Sequence, residues 1–286
     1  MKIVKDPRKV NSIIKEVKLK GKSIGFVPTM GALHEGHLSL IRQAHKENDF
    51  TVVSIFVNPM QFGPKEDLKK YPRLIQNDLM LCKKDNVDLV FLPDSKNLYP
   101  PEFGTFVKVK GLSDCLCAKS RPMHFQGVTT VITKLFNIVC PDVAYFGQKD
   151  AQQAIIIKRL SEDLNFPVKI SMLETVRAKD GLALSSRNAY LSKSQRQDAL
   201  VLSQALKLAK KMIDRGETVS KKIISSMRRL IQQNKSAKID YVEIVDFNNL
   251  RPVKKISGKC LIVLAVWIGK IRLIDNIIVG TVLKHG

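Results

Sequence analysis

The sequence predicts an α/β protein, a doubly wound parallel sheet followed by a smaller α+β domain, and three observations lead there. Short β-rich apolar runs alternate with helix-period stretches from Ser23 to Glu174. After Thr175 that alternation stops and helices precede strands. The chain has 286 residues, of which 44% are hydrophobic. Such a chain can bury enough apolar surface for roughly two domains.

In order, the apolar runs are SIGFV (23–27), TVVSIFV (51–57), DLVFL (88–92), DVAYF (142–146) and VKISML (168–173). Between them lie GHLSLIRQAHKE, whose Leu38, Ile41 and Ala44 recur at helical spacing, then LIQNDLMLCKKD, GVTTVITKLFNIV and DAQQAIIIKRLSEDL. The rhythm is Rossmann-like, and in such sheets ligands sit beyond the carboxyl ends of the strands, so the loops after these runs should carry the chemistry. Farther on, 193–214 and 218–233 read as helices, and DYVEIVDF, CLIVLAVWI and IRLIDNIIV read as strands. The expected domains are 1–175 and 176–286, with a hinge near 175–181. No low-complexity linker separates them, which predicts close packing around a cleft.

Bulk properties narrow the function. The opening MKIVKDPRKV is charged and lacks the apolar stretch of a secretory signal, so no export is expected. The longest apolar run, Cys260 to Ile268, falls far short of the ~20 residues that span a bilayer, so no membrane passage is expected. Cys82, Cys115, Cys117, Cys140 and Cys260 form no CxxC pair and fit neither a disulfide framework nor a four-ligand zinc site. They read as free thiols in a reducing cytoplasm. The formal charge of +22 is spread along the chain with no dense basic block or interleaved aromatics. It therefore reads as solvated surface that favours encounter with anionic substrates, and no nucleic-acid partner is expected.

Four loops carry candidate chemistry. PTMGALHEGH places Pro28, Thr29, Met30 and Gly31 after the first run, with His34 and His37 at the start of a helix. Unpaired N–H groups there, together with two imidazole donors on one face, suit phosphate. The HxGH signature resembles the nucleotide-binding motif of the HIGH-type nucleotidyltransferase superfamily. A metal pair would need a third ligand, and none is evident. NPMQFGPKEDLKKYPR puts Asn58 and Gln61 directly after the second run, where amides suit a polar, uncharged group. GQKDAQQ offers Gly147 for close backbone approach, Lys149 as a point charge and Asp150 as an N-cap or ligand. GLALSSRN brings Ser185, Ser186 and Arg187 into one loop, either an oxyanion clamp or a plain turn.

Together PTMGALHEGH, SIFVNPMQFGPKEDLKKYPR, RPMHFQGV, YFGQKDAQQ and GLALSSRN stand in the order and spacing of the pantothenate synthetase family, which the chain resembles over nearly its whole length. The resemblance implies an ATP-dependent ligase that joins pantoate to β-alanine through a pantoyl adenylate, releasing AMP and pyrophosphate. It also implies a cytoplasmic homodimer, with Mg2+ held mainly through the ATP phosphates and not by protein ligands. By resemblance, Met30, Gly31, Ala32, Leu33, His34, Glu35, Gly36 and His37 contact ATP, and His37 donates a proton or stabilises charge. Gly147, Gln148, Lys149, Asp150, the backbone at Val176, and Leu184, Ser185, Ser186 and Arg187 complete the ATP site. Gln61 and Gln153 hold pantoate, and Gln61 also lies near the β-alanine position. Asn58 looks like a further contact, and Arg121 and His124 like weaker candidates near the acyl group. His34, His37, Lys149 and Arg187 are the expected catalytic donors. Leu184 departs from the methionine of many relatives, a volume-conserving exchange. The rival readings are a nucleotide adenylyltransferase, which would give a dinucleotide product, and an RNA-binding protein, which would bind RNA with steep salt dependence.

Overall fold

The computed structural model describes residues 1–64 and 66–280. Lys65, within the second motif, and the last six residues of the expected C-terminal domain lie outside them. By internal contacts the chain forms two units, Met1–Gln148 with Gln153–Glu174, and Lys149–Gln152 with Thr175–Gly286. The sequence predicts a single boundary at 175/176, and the contact grouping adds Lys149–Gln152 to the second unit.

The first unit is a parallel sheet in the order β1-β4-β3-β2-β5-β6. Its strands are β1 (Lys2–Val4), β2 (Ile24–Thr29), β3 (Phe50–Ile55), β4 (Leu89–Phe91), β5 (Val143–Gly147) and β6 (Lys169–Leu173). Five of these are expected from the apolar runs. The sixth, β1, and the helix α1 (Pro7–Leu19) are not, because the charged opening of the chain shows no apolar run. Yet α1 carries its own start signal, with Pro7 in its first turn and the Asp6 side chain accepting from Arg8 N–H at 2.8 Å. The other helices are α2 (Glu35–Glu47), α3 (Ile75–Lys84), the single turns α4 (Ser95–Leu98) and α5 (Cys117–Ser120), α6 (His124–Val139) and α7 (Ala151–Asp163).

Helices cover both faces of this sheet, as side-chain alternation along β2 reveals. Phe26 meets Phe136 of α6 edge-on at 6.5 Å between ring centroids, whereas Val27 joins a core with Leu38, Leu40 and Ile41 of α2. Neighbouring residues of a strand point to opposite faces, so α6 and α2 lie on opposite sides. Leu38, Ile41 and Ala44, the expected apolar stripe, are all buried. Strand β2 is flanked by β3 on one side and β5 on the other, so the chain changes direction across the sheet there. Beyond the carboxyl ends of strands at such a switch point is where doubly wound sheets bind ligands.

The second unit contains α8 (Lys193–Asp214), α9 (Ser220–Gln232) and the antiparallel sheet β7 (Ala237–Asp246), β8 (Cys260–Ile268), β9 (Ile271–Val279). Buried Leu202, Leu206, Ile223, Met227 and Ile231 of the helices pack with Val242, Ile262, Leu264 and Leu273 of the strands. Val176 to Leu184, which takes in most of the hinge expected near 175–181, forms a small hairpin. Arg177 bridges Ala183, and Leu184 N–H donates to the Val176 carbonyl at 3.0 Å.

Candidate active site

At the end of β2, Thr29 begins the turn: its hydroxyl donates to the Ser54 carbonyl and accepts from Gly31 N–H. Gly31 then runs at φ +80°, where a Cβ would also come within 2.9 Å of Asp78 Oδ2. Ala32 follows with φ 51°. Asp78, on α3 and only 1% exposed, holds these bends by accepting from Ala32 N–H at 2.9 Å and Leu33 N–H at 2.8 Å. Both carboxylate oxygens are thus engaged by backbone donors of the motif. Sequence reasoning missed Asp78. The available signal was an acid four residues before Cys82, on what proves to be the buried side of α3.

His34 is the N-cap of α2 and its Nδ1 accepts from Gly36 N–H at 3.2 Å, while His37 Nδ1 accepts from His34 N–H at 3.4 Å. A backbone N–H can only donate, so in the neutral rings each proton sits on Nε2. The rings lie 4.1 Å apart, centroid to centroid. The two imidazoles expected on one face are together, and both are Nε2 donors. Met30 and His34 are half-buried; Glu35 is exposed and pairs with Arg42.

Beyond β3, Asn58 and Gln61 are buried and bonded to each other. Here too polarity follows from the backbone. Asn58 Oδ1 accepts from Met60 N–H at 3.2 Å, and Nδ2 donates to the Gly127 carbonyl at 3.0 Å. The amide is fixed by one group that only donates and one that only accepts. Nδ2 therefore also donates to Gln61 Oε1 at 3.2 Å, which turns Gln61 Nε2 toward Met30 Sδ at 3.0 Å. Tyr99 completes the relay by donating its hydroxyl to Asn58 Oδ1 at 2.9 Å, and burial pushes its pKa up, keeping it protonated. Asn58, expected as a substrate contact, spends both amide protons and its oxygen on the protein.

Arg121 and His124 both grip Gln61 from its backbone side. The Gln61 carbonyl accepts from Arg121 Nη2 at 3.2 Å and from His124 Nδ1 at 2.9 Å. Nδ1 therefore bears hydrogen, and Nε2 accepts from Arg121 Nη1 at 3.2 Å. The rest of the guanidinium pairs with Glu66. These weaker candidates thus act on Gln61 itself. Gln153 is half-buried on α7. Gly147 ends β5, and a Cβ there would meet no protein atom within 4 Å, so packing does not demand the glycine; Gln148 follows, half-buried.

In the second unit, half-buried Lys149 and exposed Asp150 precede α7. The Ser185 hydroxyl accepts from Arg187 N–H at 3.3 Å and so caps the short 3-10 turn Ser186–Tyr190. Asn188 Nδ2 ties that turn to the Ala183 carbonyl at 3.0 Å. The SSRN string is therefore a built turn continuous with the Val176–Leu184 hairpin. No disulfide joins the five cysteines, all of which lie among the described residues. Among the described residues no helix is long and apolar enough to cross a membrane, and no three His, Cys, Asp or Glu side chains converge as metal ligands.

A family model described as pantoate-beta-alanine ligase matches residues 2–278. A pantothenate synthetase of Caldicellulosiruptor saccharolyticus is 53% identical over 279 residues, 98% of this chain and 99% of the relative. One of Thermosipho melanesiensis is 53% identical over 280 residues, 98% of this chain and all of the relative. The pantothenate synthetase crystal structure from Thermus thermophilus superposes with a TM-score of 0.92 at 40% identity, covering 97% of this chain and 99% of that one. The pantoate-beta-alanine ligase of Francisella tularensis, complexed with beta-gamma ATP and beta-alanine, gives 0.79 at 36% identity, covering 97% of each chain.

Proposed function

The chain belongs to the pantoate–β-alanine ligase family, and from that premise we propose that it condenses pantoate with β-alanine at the expense of ATP, through a pantoyl adenylate. Membership makes it a ligase of pantothenate biosynthesis. The adenylate and the residue roles are our reading. In the first step a pantoate carboxylate oxygen attacks the α-phosphorus and pyrophosphate leaves. In the second, the uncharged amine of β-alanine attacks the acyl carbon, AMP leaves with the former carboxylate oxygen, and the nitrogen loses a proton. No protein nucleophile enters either step, so catalysis rests on positioning and on donors aimed at phosphorus-bound oxygens.

One observation carries this reading most directly: two imidazoles, both Nε2 donors by their backbone contacts, open the helix that follows the switch-point strand. His37 stabilises charge on the α-phosphate with His34 beside it, and Met30 to Gly36 follow the nucleotide. Gly147, Gln148, Lys149, Asp150, Val176, Leu184, Ser185, Ser186 and Arg187 are the other ATP contacts, with Lys149 and Arg187 as charged donors. Gln61 and Gln153 bind pantoate, Gln61 through its Nε2 hydrogens, and Asn58 holds Gln61 in that orientation. Mg2+ is carried on the phosphates of ATP. We place the enzyme in the cytoplasm as a homodimer, for which light scattering should return twice the chain mass of 32.2 kDa.

The deciding experiment is exchange of labelled pyrophosphate into ATP with Mg2+ and pantoate present and β-alanine left out. Pantoate-dependent exchange, followed by AMP and pantothenate on adding β-alanine, is the expected result. AMP formed only when all three substrates are present, with no exchange, would remove the independent adenylate step.

A further inference from the structure

Residues 275 and 276 of β9, in none of the motif strings, grip both segments of the second unit that the proposed function assigns to ATP. The two are 3% exposed each. Adjacent strand residues point to opposite faces, so this pair serves two sides of one strand. On one side the Asp275 carboxylate takes the Arg177 guanidinium in a two-pronged pair, Nη1 to Oδ2 at 2.6 Å and Nη2 to Oδ1 at 2.9 Å. Arg177 adjoins Val176 and also donates to the Gly181 carbonyl at 3.2 Å, so the hairpin is held at both its stem and its tip. Asp275 Oδ1 further accepts from Asn276 N–H at 2.8 Å, which fixes the carboxylate. On the other side Asn276 Nδ2 donates to the Lys149 carbonyl at 2.9 Å.

The geometry points to Asp275 and Asn276 as a two-faced clamp that sets Lys149 in register with the Val176–Arg187 segment, making Asn276 a positioning residue for the nucleotide. The inference rests on the ATP contacts proposed above. Its chemistry is direct. A carbonyl can only accept, so the donor edge of the Asn276 amide faces Lys149, and exchanging that edge for an acceptor turns attraction into repulsion. Lys149 is joined to the clamp through its backbone, which leaves its ammonium to act elsewhere.

The test compares wild type with Asn276→Asp and Asn276→Ala in pyrophosphate exchange, measuring KM for ATP and for pantoate separately, with thermal unfolding alongside. Leaving a buried carbonyl without its donor should raise the ATP KM on the order of tenfold. Pantoate KM should stay within about twofold, since uniform damage to the fold would move both. A double-mutant cycle with Lys149→Ala supplies the second readout: if Asn276 acts through Lys149, Asn276→Ala adds little in that background. Should the aspartate variant unfold, the alanine variant and the cycle carry the decision. Unchanged ATP KM, equal rises for both substrates, or full additivity in the cycle would overturn the clamp while wild-type exchange leaves the ligase intact. A wild type without pantoate-dependent exchange would overturn the reading and the clamp with it.

Discussion

Gly127 lies in the first turns of α6, where alanine would ordinarily strengthen the helix by about 1 kcal/mol. The structure reverses that expectation. A Cβ at this position would stand 2.3 Å from the Met60 carbonyl oxygen, 2.5 Å from its carbon and 2.6 Å from Gln61 N, against 3.4 Å for an ordinary contact. Backbone, unlike a flexible side chain, cannot rotate away, so Gly127→Ala must push the Met60–Gln61 segment off α6 by about 1 Å. The same displacement strains the Asn58 bond to the Gly127 carbonyl and the grip of Arg121 and His124 on Gln61. Overpacking of this kind costs roughly 1–3 kcal/mol in stability, and a shift near 1 Å at a substrate-positioning group costs on the order of 10²-fold in rate. Pyrophosphate exchange at varied pantoate, with melting curves alongside, should show that loss in kcat/KM together with a lowered Tm. Val128→Ala, a cavity one residue away at a buried position, serves as control: it should lower Tm while leaving pantoate KM nearly unchanged. A Gly127→Ala enzyme as stable as wild type, with kcat/KM within a few-fold, would refute the reasoning.

Four other outcomes are expected. His37→Ala should depress kcat by roughly 10²- to 10³-fold with much less change in ATP affinity, so unchanged turnover would remove His37 from the charge-stabilising role. Gln61→Glu should weaken pantoate more than Gln61→Ala, because it faces an acceptor toward a carboxylate substrate; Tyr99→Phe, which removes the hydroxyl steadying Asn58, should raise pantoate KM less than either, and ATP-only effects would contradict the relay. Burial pushes the Cys82 thiol up to about 12, assisted by Asp78 and Asp85, so a thiol reagent at neutral pH should label exposed Cys140 and reach Cys82 only on unfolding. Asp180 has its pKa lowered by Leu182 N–H and by Arg196, so its stabilisation is present above the unfolded value of 3.8 and fades as pH falls through the lower folded value. The Tm gap between wild type and Asp180→Asn should accordingly close below that pH, and a gap that widened would reverse the sign of the argument.

Elements announced by a period or an apolar run were legible in the sequence: α8, β8 and β9 have the expected bounds, and the five parallel strands expected from apolar runs differ from theirs by at most two residues. What escaped were elements that make sense only in place. Strand β1 is three residues long with Lys2 and Ile3 exposed, so neither alternation nor an apolar run could announce it. The site divides in the same way. Motif strings named the residues proposed to face a substrate, because those occupy consecutive loop positions after strands. They could not name Asp78, Tyr99, Asp275 or Asn276, whose partners lie tens of residues away in sequence. A single acid, phenol or amide has no spacing to give it away.

Those distant residues explain why the motif side chains present the atoms they do. His34, His37 and Asn58 are amphoteric by themselves, and each is given one polarity by a backbone group that cannot change its own. Asn58 then passes its polarity to Gln61, which is left with Nε2 pointing outward from the relay. Two nearby acids are meanwhile withdrawn from competition, Asp78 onto Ala32 and Leu33 N–H and Glu66 onto Arg121. The first unit thus directs hydrogen-bond donors from its motif loops and engages the acceptors that would oppose them. Such a surface favours carboxylate and phosphate oxygens and offers little to an ammonium group. For the proposed reaction that bias has a kinetic use: a protonated β-alanine amine, which cannot attack the acyl carbon, finds Asp78 and Glu66 already engaged, while the uncharged amine needs no carboxylate to hold it.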